Sequence, residues 1–246
     1  KAAIADGVDI VVKIDGDGQM NPALLHHFVR PLLRGEADYT KGNRFFRPES
    51  VQGMPPVRLF GNAVLSFMTK LSCGYWNIMD PTNGYTAART CVLAELPLDK
   101  LEQRYFCETD MLFRLNTVRA VVKDVPMDAV YADEESHLKV GKVLPEFLRK
   151  HASRLWRRYV DSYLVRDVNV GSVYSLVGLV LLTFGLFFGL YGWISGVQHA
   201  APATSGTVML AALPVIVGIQ CWIAFLHHDV SNVPTEPLSG LLDETD

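Results

Sequence analysis

The sequence predicts an α/β layer domain of the nucleotide-handling kind, followed by a basic amphipathic helix and a two-span membrane hairpin. Three observations carry that prediction. Over residues 1–143, short β-branched runs alternate with helical stretches and Gly/Pro-rich turns, the pattern of a layered α/β domain. Lys and Arg are concentrated in residues 1–167, whereas Val168–Gln198 and Ala200–Leu226 contain no Asp, Glu, Lys or Arg. Between these regions, residues 144–167 interleave arginines with aromatics.

The elements follow in chain order. "KAAIADGVDIVVKID" reads as the end of a helix, a glycine turn and a strand over 8–14, largely buried, and an amino-terminal portion of a longer protein is expected to precede it. Asn21 and Pro22 mark a helix start, with a capping side chain and proline at the first helical position. That helix places Leu24, Leu25, Phe28 and Leu32 on one side and should bend or stop near Pro31, ending by Gly35. "ADYTKGNRF" reads as a second strand entering a loop, residues 48–58 as a mobile Pro/Gly-rich loop, and 59–71 as a helix. "DPTNGYTAART" is a turn leading to a short strand and helix, "ETDMLFRL" opens a helix with acids in its first turn, and "AVVKDVPM" is the last strand.

In residues 144–167, Phe147, Leu148, Leu155, Trp156, Tyr159, Tyr163 and Leu164 recur at helical spacing among Arg149, Lys150, Arg154, Arg157, Arg158 and Arg166. Such a helix before an apolar span suits an anionic membrane surface. Residues 172–194 and 207–226 are each long enough to cross a hydrocarbon layer of roughly 30 Å at about 1.5 Å per residue. The connector "SGVQHAAPATSG" carries no Lys or Arg, so the charge bias places the α/β domain and both flanks of the hairpin, including a tail over 229–246, in the cytoplasm of an inner or plasma membrane protein. A formal net charge of -3 gives no basic footprint for nucleic acid. The four cysteines lack metal-ligand spacing and read as reduced thiols.

The chemistry concentrates in "KIDGDGQMNP" (13–22). Asp and Gly are ordinary turn residues, so a solvated loop is one reading. The other is a divalent-cation site: Asp15, Asp17 and Gln19 offer hard oxygen ligands at the carboxyl end of a strand, where open α/β sheets receive ligands.

"DGDGQMNP", "GNRF", "DPTNGYTA", "ETDM" and "ESHLK", in that order and followed by two spans, resemble an inverting family-2 glycosyltransferase of the polyprenyl-phosphate type, whose kin include dolichyl-phosphate mannose synthase and bacterial enzymes that charge undecaprenyl phosphate. The resemblance implies a GT-A (Rossmann-like) domain at 1–143, present in part because the strands carrying the family's nucleobase pocket are not in this sequence. It implies Mg²⁺ or Mn²⁺ held by Asp17 and Gln19, with Asp15 beside the sugar nucleotide. Arg44 would lie near a donor or acceptor phosphate, Asp80 beside the donor sugar, and Glu108 and Asp110 near the acceptor, with Asp15, Asp80, Glu108 and Asp110 as the implied catalytic set. Ser136 and Lys139 would close over phosphate. The implied partners are a UDP- or GDP-sugar, undecaprenyl or dolichyl phosphate, the membrane, and further copies of the chain, as a tetramer. Thr86 stands where mannose synthases tend to carry arginine, so the resemblance does not assign mannose. Its alternatives are a membrane-anchored scaffold of the same fold and a transferase acting on a different lipid or glycan acceptor. Gly178, Gly185, Gly189 and Gly192 are small residues that would let helices pack closely.

Overall fold

In the computed structural model, residues 1–16, 18, 20–46, 56–128 and 140–243 are described. They form two compact units: residues 1–159 with 233–246, and residues 160–232.

The first unit is mixed α/β. Helix α1 (Ala2–Ala5) turns at Gly7, whose φ of 67° suits glycine, into β1 (Ile10–Lys13). The Asn21 side chain accepts a hydrogen bond from the Ala23 amide and starts a 3₁₀ turn, Pro22–Leu24, that continues as α2 (Leu25–Leu33). The helix runs through Pro31 for two further residues, and Gly35 follows at φ 62°. Phe28 and Leu32 are fully buried, but Leu25 faces outward, so the apolar side is narrower than the sequence suggests. Strand β2 (Tyr39–Asn43) is followed by α3 (Pro56–Cys73), β3 (Thr86–Arg89), α4 (Thr90–Ala94), α5 (Cys107–Thr117) and β4 (Val122–Pro126). The loop expected at 48–58 lies mostly outside the described residues.

The strands form a sheet in the order β1-β3-β2-β4, with β3 antiparallel to both neighbours and β2 parallel to β4. Among the described residues β1 pairs with β3 and is half-buried. The sequence predicts a largely buried strand; three of its four positions are partly buried and Lys13 is exposed. Tyr39, Ala88 and Val122 place one face on a core with Tyr75, Ile78, Leu112, Phe113 and Leu115. The other face packs Ala87, Val121 and Val125 against Phe28 and Leu32 of α2, with Tyr85 stacked on Phe28 at 3.8 Å. The four cysteines are free thiols.

Helix α6 (Val140–Val160) divides its basic residues. Arg154 and Arg158 are buried within the first unit: Arg154 pairs with Asp110 and Glu102, and an Arg158 guanidinium N–H donates to the Leu71 carbonyl. Lys150 pairs with Glu102 and Glu146. Arg149, Arg157, Leu148, Leu155 and Trp156 are exposed. The surface available to a membrane is therefore less basic than the residue count implies, because ion pairing and helix docking consume part of it.

The sequence predicts a tail over 229–246 after the second long apolar helix. It instead packs into the first unit through α9 (Leu238–Asp243), with Val233, Leu238 and Leu242 against the larger core. The fully buried Asp38 carboxylate accepts hydrogen bonds from the Val121, Leu238 and Ser239 amides at 2.7–2.8 Å.

The second unit opens with a π-helical turn, Asp161–Val165, and contains α7 (Val170–Gln198) and α8 (Ser205–Ser231), both long and apolar enough to cross a membrane. Asn169 and Ser172 form a capping box at the α7 start. A Cβ on Gly178 would lie 3.1 Å from the Gly218 carbonyl, and one on Gly185 would lie 2.8 Å from that of Ala211. Gly178 and Gly185 thus serve contact between α7 and α8 of one chain.

Candidate functional site

The site is built on the sheet face whose other end carries the larger core. Strand register places Lys13, Thr86, Lys41 and Asp124 in one row across all four strands. Register partners project to the same face, so the apolar row Val11, Ala88, Tyr39 and Val122 gives way, two residues along each strand, to a polar row. The site lies at the carboxyl ends of β1, β2 and β4, where loops carry the remaining polar groups.

At one end of the row the Lys13 ammonium bridges two carboxylates, 3.0 Å from Asp15 Oδ1 and 3.0 Å from Glu108 Oε1. Burial works against the charged amine, but its hydrogen bonds to Glu108 and Asp15 outweigh that and hold the pKa above the ordinary lysine value. Asp15 and Glu108, two of the residues singled out by sequence, are thus brought together by a third that was not. Asp15 lies against Gly84: a Cβ there would sit 1.9 Å from Asp15 Oδ2. Only glycine leaves room for the carboxylate.

Arg44 and Asp80 form the second pair. Arg44 Nε and Nη2 donate to Asp80 Oδ2 and Oδ1 at 2.7 and 3.0 Å, and the Arg44 amide donates to Oδ2. Asp80 is fully buried and also accepts from Thr82 and Asn83, so it organises its own turn and orients the partly exposed guanidinium. Its own oxygens are enclosed, so Arg44 is the member of the pair that presents surface.

Asp110 lies elsewhere. Two residues after Glu108 on α5, it projects from another side of the helix. It is fully buried and accepts from Arg114 Nε at 2.9 Å, Arg154 Nε at 2.6 Å and the Glu102 amide at 2.9 Å. The expected acceptor-side acid is an anchor for α6, with no oxygen open to a ligand. Asp17, Gln19, Ser136 and Lys139 lie outside the described residues.

Sequence reasoning did not single out Lys13, Lys41, Asn43, Asn83 or Asp124. Lys41 is fully buried and its ammonium donates to the Asn83 carbonyl. Asp124 Oδ2 accepts from Asn43 Nδ2 and the Met79 amide, while Oδ1 is buried without a partner among the described residues. Burial, partly opposed by the Met79 amide, raises the Asp124 pKa to about 6. A signal was present: in "YTKGN", residues 39, 41 and 43 share a face that changes from apolar to polar along the strand.

The oxygen donors Asp17 and Gln19 suit a hard divalent cation. Among the described residues, no group of three His, Cys, Asp or Glu side chains is arranged to hold one. Asp15 Oδ1 is engaged by Lys13.

Comparison with known proteins gives two relatives. Over 133 residues the chain is 29% identical to the UDP-N-acetylglucosamine–dolichyl-phosphate N-acetylglucosaminyltransferase of Methanococcus voltae, covering 54% of this chain and 53% of that protein. Over 133 residues it is 26% identical to an uncharacterized protein of Methanocaldococcus jannaschii, covering 54% of each. The chain spans about half the length of the curated relatives it matches. No family model matches.

Proposed function

We propose that this chain belongs to a membrane glycosyltransferase with a GT-A-type domain of family 2, which moves a sugar from a UDP- or GDP-linked donor to a polyprenyl phosphate with inversion. The observation that carries the reading is the Asp15–Lys13–Glu108 cluster at the carboxyl ends of the strands, in a chain with two helices suited to crossing a membrane. Similarity over half the chain to a dolichyl-phosphate N-acetylglucosaminyltransferase supports it.

The acceptor's phosphate oxygen is already anionic near neutral pH, so it attacks the anomeric carbon without a strong base. The C–O bond to the donor diphosphate breaks on the opposite face. Glu108, bonded to Lys13, then orients the cluster instead of taking a proton. Arg44, preset by its paired bonds to Asp80, is placed to meet a phosphate, with Lys139 and Ser136 as its proposed companions. Mg²⁺ or Mn²⁺, held by Asp17 and Gln19, would neutralise charge on the departing diphosphate. Positioning and fixed charge supply the remaining rate.

Connectivity supports the proposed orientation. Residues 1–159 and 233–246 share one unit, so the chain returns after its hairpin to the side it left. The lysine and arginine bias supports a cytoplasmic assignment for that side. The exposed Trp156, Leu148 and Leu155 of α6 would rest at the headgroup level, and a homo-oligomer is part of the same reading.

The test uses the full-length protein with Mg²⁺, undecaprenyl or dolichyl phosphate and a panel of labelled nucleotide sugars, beside Asp17→Ala. Label entering the lipid fraction with one donor, and lost in the variant, is expected and names the sugar. A folded, membrane-inserted protein that labels no lipid with any donor overturns the reading in favour of a different acceptor or a scaffold.

A further inference from the structure

Lys41 is fully buried among the described residues, and its surroundings do not account for its charge. A lysine ammonium has three N–H donors; the bond found here is to the Asn83 carbonyl, and no carboxylate lies within ion-pair distance among the described residues. Burying a charge without a counterion is costly, and apolar side chains of similar volume are often neutral or stabilising in such places. Methionine, of similar length, would fill the space without that cost. The fold does not require an ammonium at this position.

What the ammonium faces is the site. Its register partners are Thr86 on β3 and Asp124 on β4, with Lys13 beyond Thr86 on β1. It is tied to the turn that carries Asp80 and Gly84. The carboxylates of Glu108, Asp80 and Asp124 favour its charged form, while burial and Lys13 oppose it. Lys13 contacts Glu108 directly, and Lys41 lies in the same row as Lys13, with β3 between them.

We propose that Lys41 is a positioning residue of the transferase site: its buried charge, bonded to the Asp80–Tyr85 turn and in one strand row with Lys13, fixes the arrangement of that turn and of the Lys13–Glu108 pair for sugar transfer. This rests on the transferase reading. Burial lowers the Lys41 pKa to about 8 despite the neighbouring carboxylates. The charged form is present below that pH and is lost above it.

The test compares full-length wild type with Lys41→Met in detergent, by thermal melting and by lipid-linked sugar transfer across pH 7–9.5. The variant is expected to melt at or above the wild-type temperature, while its turnover falls at least about tenfold with donor KM held within about threefold. Wild-type turnover should also fall as pH rises through about 8, and the variant's residual turnover should not show that limb. Melting well below wild type makes Lys41 a brace for the turn and overturns the proposal. So does wild-type turnover in the variant, or an unchanged high-pH limb. If the wild type itself transfers no sugar, the transferase reading fails on its own. Melting then decides: at or above wild type supports a charge not kept for the fold, and below it overturns the proposal.

Discussion

Replacing Asp110 with alanine separates a structural acid from a catalytic one. The variant removes the acceptor shared by Arg114, Arg154 and the Glu102 amide, while the two guanidiniums stay 6% and 8% exposed. Deleting one partner of a buried ion pair costs about 3–5 kcal/mol. Two arginines lose a partner here, but Arg154 keeps Glu102 and Arg114 keeps the Lys100 carbonyl, and α6 can loosen to rehydrate its side. A total of about 3–5 kcal/mol is therefore the expectation, which at about 2–4 °C per kcal/mol for a chain of this size lowers the melting temperature by roughly 6–20 °C. The assay is thermal melting in detergent, paired with transfer measured well below the variant's melting point. Turnover of the folded fraction should stay within about threefold of wild type, because no Asp110 oxygen faces the site. Wild-type melting with turnover abolished would refute the reasoning and return Asp110 to catalysis.

Three other predictions follow from neighbouring contacts. Asp38→Ala leaves the Val121 amide buried without its acceptor and unties α9; a loss of about 2–5 kcal/mol is expected, with faster proteolysis near residues 233–243, and an unchanged cleavage rate would show that the tail is held by its apolar contacts alone. Gly84→Ala drives a Cβ into Asp15; because a side-chain carboxylate can swing away, stability should change by less than about 1 kcal/mol while turnover falls about tenfold or more, and wild-type turnover would show that Asp15 need not sit there. Burial lowers the His151 pKa to about 4, so the folded state resists protonating it; stability contributed by the neutral ring is intact above about pH 6.5 and is lost as pH falls toward 4, by up to about 3 kcal/mol. His151→Phe should flatten that part of the pH–stability curve, and a curve parallel to wild type would remove His151 as its cause.

The element order was legible in the sequence because its signals are local. Asn21–Pro22 begins a helix, Gly7 and Gly35 turn the chain with positive φ, and two charge-free stretches become α7 and α8. Of the site, Asp15 and Glu108 could be named from motifs, as could the pairing partners Arg44 and Asp80. Helical periodicity alone already set Glu108 and Asp110 on different sides of α5. The exchange of roles that makes Asp110 an anchor for Arg154 required knowing where α6 docks, 44 residues away in sequence.

By itself, the sequence determined which segments become helix, strand and long apolar helix, since propensity, capping and hydrophobic length are properties of neighbouring residues. Only the tertiary structure decided that β3 runs antiparallel between β1 and β2, that 233–243 returns to the first unit on Asp38, and that Lys13, Thr86, Lys41 and Asp124 share one row. Those facts depend on strand order and register. They are settled by which faces can be buried together, and with them by which charges are left without water.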